Sequence, residues 1–447
     1  MWPKVLRAGT AASLVISVPA ILIPPSQDSW YDQPGDIFRY SPGDLVRFRE
    51  IPAQLEPFVS SLPVDVSAKA TYQYLFRTTD SLGDPVAAVG TLIEPYDSDP
   101  SKLLAYQAPY DSASLDCSPS YTVRRYTSGG LGGFRLLETN TSTDIPFIAA
   151  ALNKGWWVLT TDYEGLEAQF TAGLQSGYAT LDSLRVVLKE GRHVGLSSDP
   201  RYALWGYSGG ALASAWAAEL QPAYAPELNF VGIALGGLTP NVSSVLETIN
   251  NSSFAGLAFS GIYGQAKAYP NLTSWLEENL LHEKAGKFWA AANSCLSGAR
   301  EIGGNENIYT YFRHAEASFL DPIPQSIFHY SGQMGIRNTP TAPLFIYKAV
   351  GDEVSPVDDT DALVNKYCAQ GARIEYQRDW VGEHVSEAIT GSASAMNWMS
   401  DRLNGKSVEE GCQTKQVMLT ELDPTTVITL GEEIFAFLQS ILGGMLG

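Results

Sequence analysis

Ser208 lies in G-Y-S-G-G at 206–210, where the apolar run Y-A-L-W gives way to the small residues A-L-A-S-A-W-A-A. A serine hydroxyl becomes a nucleophile only when a base takes its proton. A G-x-S-x-G stretch between strand and helix builds a sharp elbow that lifts the serine above the sheet edge. Gly206 and Gly210 then let strand and helix approach with no side chain between them. The N–H of Gly209, at the helix start, can face the charge that grows on an attacked carbonyl oxygen. The pattern also occurs in ordinary glycine-rich turns, so the chemistry depends on partners.

The serine needs a histidine, and the histidine needs a carboxylate to fix its tautomer and stabilise its cation. On a sheet with this elbow the chain order is serine, acid, histidine. Five histidines occur: His193 precedes Ser208, and His282, His314 and His329 fall in a helical stretch. His384, in V-G-E-H-V, follows a late strand on a short loop before a helix. The strand A-P-L-F-I-Y-K-A-V at 342–350 runs into G-D-E-V-S-P, which puts Asp352 at its carboxyl end. Glu353, Asp358 and Asp359 are near enough to be alternatives. There is no H-E-x-x-H, clustered Cys/His, Walker loop or strand-to-helix G-x-G-x-x-G, so no metal or other cofactor is expected. S-G-G-L-G-G at 128–133 follows no clear strand and reads as a flexible loop.

These residues need a scaffold of strand ends. From about residue 65, T-Y-Q-Y-L-F-R-T, A-A-V-G-T-L-I-E and K-L-L-A-Y-Q read as strands. Helical I-P-F-I-A-A-A-L-N-K, the strand W-W-V-L-T-T, helical T-L-D-S-L-R-V-V-L-K and the strand N-F-V-G-I-A-L-G-G follow. Such alternation predicts an α/β fold, a mostly parallel sheet with helices on both faces. Residues 239–334 break the rhythm with helical periodicity and many aromatics, and strands resume at 342–350 and 372–378. A helical insert emerging where strand ends bind ligands reads as a cap. Residues 21–60, rich in Pro, Asp and Ser, read as an arm over the domain.

Composition narrows the class. The 447 residues are 45% hydrophobic and 17% charged, enough for a large core, and a net charge of −19 argues against nucleic acid or an anionic membrane surface. Lys4 and Arg7 precede a short apolar stretch ending in small residues near Ala20, the pattern of an export signal. No later run is long enough to span a bilayer. Four cysteines and sequons at Asn140, Asn241, Asn250, Asn251 and Asn271 agree with secretion, although spacing alone leaves three disulfide pairings open.

G-Y-S-G-G, A-Y-A-P-E-L-N-F-V-G at 223–232, F-A-G-L-A at 254–258, D-E-V-S-P and E-H-V give the chain its resemblance to a known family. Over roughly 65–412 it resembles the fungal secretory lipases, the Candida antarctica lipase A type of α/β-hydrolase. The resemblance implies Ser208, Asp352 and His384 as the triad. Y-D-S-A-S-L-D-C-S-P-S-Y matches a family stretch at Asp111, whose backbone N–H it implies as an oxyanion donor beside that of Gly209. It also implies the pairs Cys117–Cys295 and Cys368–Cys412. The last turns, I-T-L-G-E-E-I-F-A-F-L-Q-S-I-L, are apolar at helical spacing and read as a helix packed on the domain.

The expected organisation is a signal peptide at 1–20, a first core part at 21–238, the cap at 239–334 and a second core part at 335–447. The expected activity is hydrolysis of acylglycerol esters by a secreted monomer through an acyl-enzyme. A transient contact with a lipid–water interface fits it. An esterase for short acyl groups, such as a deacetylase of a secondary metabolite, would use the same parts. A non-catalytic binding protein on this fold would not need the full triad.

Overall fold

The computed structural model of the protein describes residues 22–55, 58–59, 63–124 and 141–418, with Thr429 and Ile434. The leader at 1–20, the glycine-rich stretch at 128–133, Asn140 and most of the final apolar segment lie outside the described residues.

One sheet carries ten strands: β1 (Leu45–Ile51), β2 (Ala70–Thr79), β3 (Pro85–Glu94), β4 (Asp99–Gln107) and β5 (Trp156–Thr161), then β6 (Arg201–Tyr207), β7 (Gly232–Gly236), β8 (Leu344–Ala349), β9 (Ile374–Asp379) and β10 (Cys412–Val417). Their order is β1-β2-β3-β5-β4-β6-β7-β8-β9-β10. Neighbours are parallel from β5 across to β10, while β1, β2, β3 and β5 pair antiparallel.

Alternation along the central strands splits the core in two. Leu103 and Ala105 face one cluster with α2 (Gly173–Glu190) and α3 (Gly209–Tyr224), through Leu181 and Trp216. Leu104 and Tyr106 face the other, with Ile148 of α1 (Thr141–Asn153). Strands covered on both faces need continuous apolar runs, which is why these were the readable ones.

The segment 239–334 contains six α-helices, α4 (Val242–Ile249), α5 (Gly256–Ala268), α6 (Pro270–Asn279), α7 (His282–Ala292), α8 (Leu296–Gly303) and α9 (Pro322–Gly332). They bury a cluster of their own around Phe259, Trp275, Phe288 and Tyr311. Among the described residues no helix is long and apolar enough to cross a membrane.

Two strands differ from the sequence reading. The arm at 21–60 contains β1, paired with β2 at the sheet edge, and Tyr31 and Ile37 pack on Leu75, Ala87 and Val89 beside it. Arg47, Arg49 and Glu50 break its apolar pattern, as an edge strand with one solvated face allows. β10 is C-Q-T-K-Q-V, a polar edge strand with no hydrophobic signal.

Candidate active site

β6 ends at Tyr207, α3 starts at Gly209, and Ser208 between them has φ 51° and ψ −119°. A non-glycine residue in this region is strained by about 1–3 kcal/mol and persists only where its surroundings hold it. Ser208 N–H donates to the Gly236 carbonyl at 2.9 Å, and its own carbonyl accepts from Leu212 N–H at 2.8 Å. The neighbouring glycines are required by space. A Cβ on Gly206 would lie 2.1 Å from the Gly210 carbonyl oxygen, and one on Gly210 would lie 1.9 Å from that of Gln107.

The structure brings Ser208, His384 and Asp352 together. His384 Nε2 stands 2.8 Å from Ser208 Oγ, and its Nδ1 stands 2.7 Å from Asp352 Oδ2. His384 opens α11 (His384–Thr390), its backbone N–H donates to Glu353 Oε2 at 2.7 Å, and its carbonyl accepts from the Tyr207 hydroxyl at 2.6 Å. Glu353 therefore meets the histidine at its main chain, and Asp358 and Asp359 lie in the first turn of α10 (Val357–Ala369). Asp352 Oδ1 accepts the N–H groups of Val354 and Ser355 at 2.9 and 2.8 Å. Burial alone would raise its carboxyl, but the charges of His384 and Lys348 beside it hold it well below the usual carboxylate range. The site thus holds a fixed carboxylate, a ring aligned by it and a hydroxyl at the far ring nitrogen, which is the arrangement that deprotonates a serine.

Asp111 follows β4 on a loop and has φ 44°, a left-handed conformation that aspartate tolerates better than most residues. Its side chain is buried and Oδ1 has no hydrogen-bond partner among the described residues. Burial raises its carboxyl to about 7, against an opposing pull from His384. Lys267 of α5 crosses to this loop, donating to the Ala113 carbonyl at 2.6 Å and to that of Glu167 at 3.0 Å.

A cavity opens beside Ser208, Gly209 and Asp111, and its far wall is apolar. α4 supplies Val242, Leu246 and Ile249, and α5 supplies Leu257 and Ile262. Of the insert's other apolar clusters, Phe259 and Phe288 pack inside the insert, and Phe254, Tyr263 and Trp289 lie against that same core. Phe170 and Thr171 complete the wall from a core loop without regular structure. The spacing V-S-S-V-L-E-T-I already marks one apolar face on α4, a signal the aromatic clusters overshadowed. Lys348, within the apolar run L-F-I-Y-K-A, carries a second such signal. A lysine within a fully buried parallel strand calls for a partner, and here it is Asp352 Oδ2 at 2.8 Å.

Cys117 and Cys295 are bonded, joining the loop after Asp111 to the start of α8, and Cys368 is bonded to Cys412, joining α10 to β10. Among the sequons within the described residues, Asn251 and Asn271 are exposed. Asn241 caps α4 through Ser243 N–H, and the Asn250 amide is engaged with Asn307 and Ile308. Among the described residues no group of three or more His, Cys, Asp or Glu side chains could hold a metal ion.

The chain is similar to known proteins along most of its length. The family described as secretory lipase matches residues 133–411. Lipase A of Arthroderma benhamiae is 39% identical over 95% of this chain and 89% of that protein. The trichothecene C-3 esterase of Fusarium sporotrichioides is 36% identical over 93% of this chain and 92% of that protein. The crystal structure of Candida antarctica lipase A in its closed state superposes with a TM-score of 0.81 at 27% identity, covering 94% of this chain and 96% of that one.

Proposed function

The chain belongs to the secretory lipase family, and on that premise we propose how its residues carry out ester hydrolysis. It is a carboxylic ester hydrolase with the α/β-hydrolase sheet of that family. Ser208 Oγ attacks the ester carbonyl carbon while His384 Nε2 takes its proton. The negative charge moves to the carbonyl oxygen, where the backbone N–H groups of Gly209 and Asp111 receive it. His384 then protonates the leaving alcohol oxygen, and Asp352 steadies the imidazolium throughout. Water, deprotonated by the same histidine, releases the acid from Ser208.

One observation supports the substrate class, the apolar wall of α4 and α5 facing Ser208. We read the segment 239–334 as a cap whose inner surface takes the acyl chain, so the substrates are acylglycerols with medium or long chains. Each methylene buried there contributes roughly 0.8 kcal/mol, close to fourfold in kcat/KM until the cavity is full. Secretion to the cell exterior, with sugars on Asn251 and Asn271, fits the disulfides and the exposed sequons. The similarity to a trichothecene esterase supports a second reading, release of a short acyl group from a bulky alcohol. A series of nitrophenyl esters from acetate to palmitate, with emulsified triglyceride, separates the two. Rates that hold or rise to medium chains and extend to triglyceride are expected. A maximum at acetate that vanishes by octanoate would transfer the chain to the second reading.

A further inference from the structure

Lys348 takes no step in the hydrolysis above, yet its ammonium touches the triad carboxylate. It stands next to last in β8, and its side chain is completely buried. Nζ lies 2.8 Å from Asp352 Oδ2 and donates to the Leu238 carbonyl at 3.0 Å. Oδ2 is the same oxygen that faces His384 Nδ1 at 2.7 Å, while Oδ1 is occupied by two backbone N–H groups. With both oxygens already satisfied, the carboxylate needs no lysine to hold its orientation. A buried ammonium is costly to keep, and a whole buried ion pair replaced by apolar residues is often no less stable, so stability alone does not account for the pair.

We propose that Lys348 is a positioning residue that competes with the His384 imidazolium for Asp352 Oδ2 and thereby extends catalysis to lower pH. The claim rests on the triad reading. A carboxylate shared with a second cation stabilises the imidazolium less, so the ring gives up its proton more readily and stays available as a base in more acidic medium. Burial pulls Lys348 down while the Asp352 carboxylate opposes that pull, and the charges of His384 and Lys348 hold Asp352 well below its usual range.

The surrounding charges do not substitute for the lysine. Glu353 and Tyr207 bind the main chain of His384. Asp359 acts on Lys348 from α10, and Arg300 of α8 faces Glu353. Glu387 is pushed well up by burial and by the charges of Asp379 and Asp352. Asp111 faces His384 across the site. Apart from His384 itself, Lys348 is the cation among the described residues that pairs with Asp352.

Lys348→Met keeps the length of the stem and removes the charge. A unit charge a few ångströms from the ring shifts its titration by roughly one to two pH units at an effective dielectric of about 20. The acid limb of kcat/KM for nitrophenyl butyrate should therefore move up by that amount, a loss of roughly tenfold or more on the acid side relative to the plateau of the same variant. Lys348→Gln should behave alike. Rates are counted per active site with diethyl nitrophenyl phosphate, so a preparation that folds poorly does not mimic the shift. Ser208→Ala should neither hydrolyse ester nor take up the phosphate reagent, and if it does either, the triad reading fails before the role of Lys348 is reached. An unmoved acid limb in titrated Lys348→Met overturns the proposal. So does the absence of titratable sites in both variants with an unfolded circular dichroism spectrum, which would assign Lys348 to folding alone.

Discussion

Asp111 Oδ1 occupies the space in which a Cβ on Gly209 would stand, 1.9 Å from it. The loop after β4 and the first turn of α3 are therefore packed against each other at the two residues whose backbone N–H groups we propose for the oxyanion. Gly209 is not at positive φ, so the requirement there is for space and not for backbone freedom. Gly209→Ala would have to push Asp111 outward. Removing one oxyanion donor costs about 10²–10³ in rate, and a fall of that order in kcat is expected, with KM changing much less. Steady-state kinetics on the folded variant decide it, and kcat within threefold of the parent would mean that the two residues can separate without harm.

The same aspartate predicts an alkaline limb. Burial raises its carboxyl to about 7, so it is neutral below that pH and an anion above it. A negative charge beside a developing oxyanion opposes catalysis, and hydrolysis should fall as pH rises through about 7. Asp111→Asn keeps the shape and cannot ionise, so its profile should stay level where the parent declines. Stability carries the matching sign. The folded state holds a proton that the unfolded chain has released, so this group costs stability progressively as pH rises from about 4 to about 7. Thermal melts of the Asn variant should show that part of the decline removed. A parent profile without an alkaline limb near 7 would detach Asp111 from the chemistry.

The sequence was legible where burial imposes a pattern. W-W-V-L-T-T and L-F-I-Y-K-A had to be strands because both faces of a parallel sheet are covered, and Ser208 was marked by two glycines whose missing side chains the close packing of β6, α3 and β4 requires. β1 and β10 escaped because edge strands mix charged residues into the pattern. The left-handed turn at Asp111 had no local mark, since aspartate occurs in many ordinary loops, and only the family stretch pointed to it. The sequence favoured Asp352 but left Glu353 open as an alternative, because two adjacent residues leave a strand in different directions and only the fold decides which one meets the ring. Phe170 and Thr171 lie on a loop with no period to read, so their place in the cavity wall is a tertiary fact.

The disulfide between Cys117 and Cys295 closes a loop of 178 residues and clamps α8 to the segment that carries Asp111. Native disulfides typically contribute about 2–4 kcal/mol by constraining the unfolded chain. Replacing both cysteines by serine should lower the thermal midpoint by several degrees. It should also raise the protease sensitivity of the segment 239–334 before that of the sheet, because the bond is a covalent link between the two. Limited proteolysis followed by mass spectrometry reads the order of cleavage. Simultaneous loss of both parts would show that the insert is held by packing and by Lys267 rather than by the bond.

If the cavity takes the acyl chain as proposed, Gly261 in its wall is the position at which a substitution is expected to change chain-length preference. Gly261 lies inside α5, and a Cβ there would stand 3.3 Å from Thr171 Cγ2 and 3.9 Å from Phe170 Cε1. One methyl group therefore requires only a small shift of Thr171, but a leucine must extend into the space where an acyl chain would lie. Gly261→Leu also gains helix propensity, up to about 1 kcal/mol, so folding is not expected to suffer. Acyl groups short enough to stop before Gly261 should react nearly as in the parent, with butyrate within about threefold. Longer ones lose the buried methylenes that leucine displaces, at roughly 0.8 kcal/mol each, so octanoate and palmitate should drop tenfold or more in kcat/KM. The measurement is the nitrophenyl ester series run on both proteins, with the peak expected to move to shorter chains. A uniform decline at every length would place Gly261 off the acyl path and return the specificity question to α4.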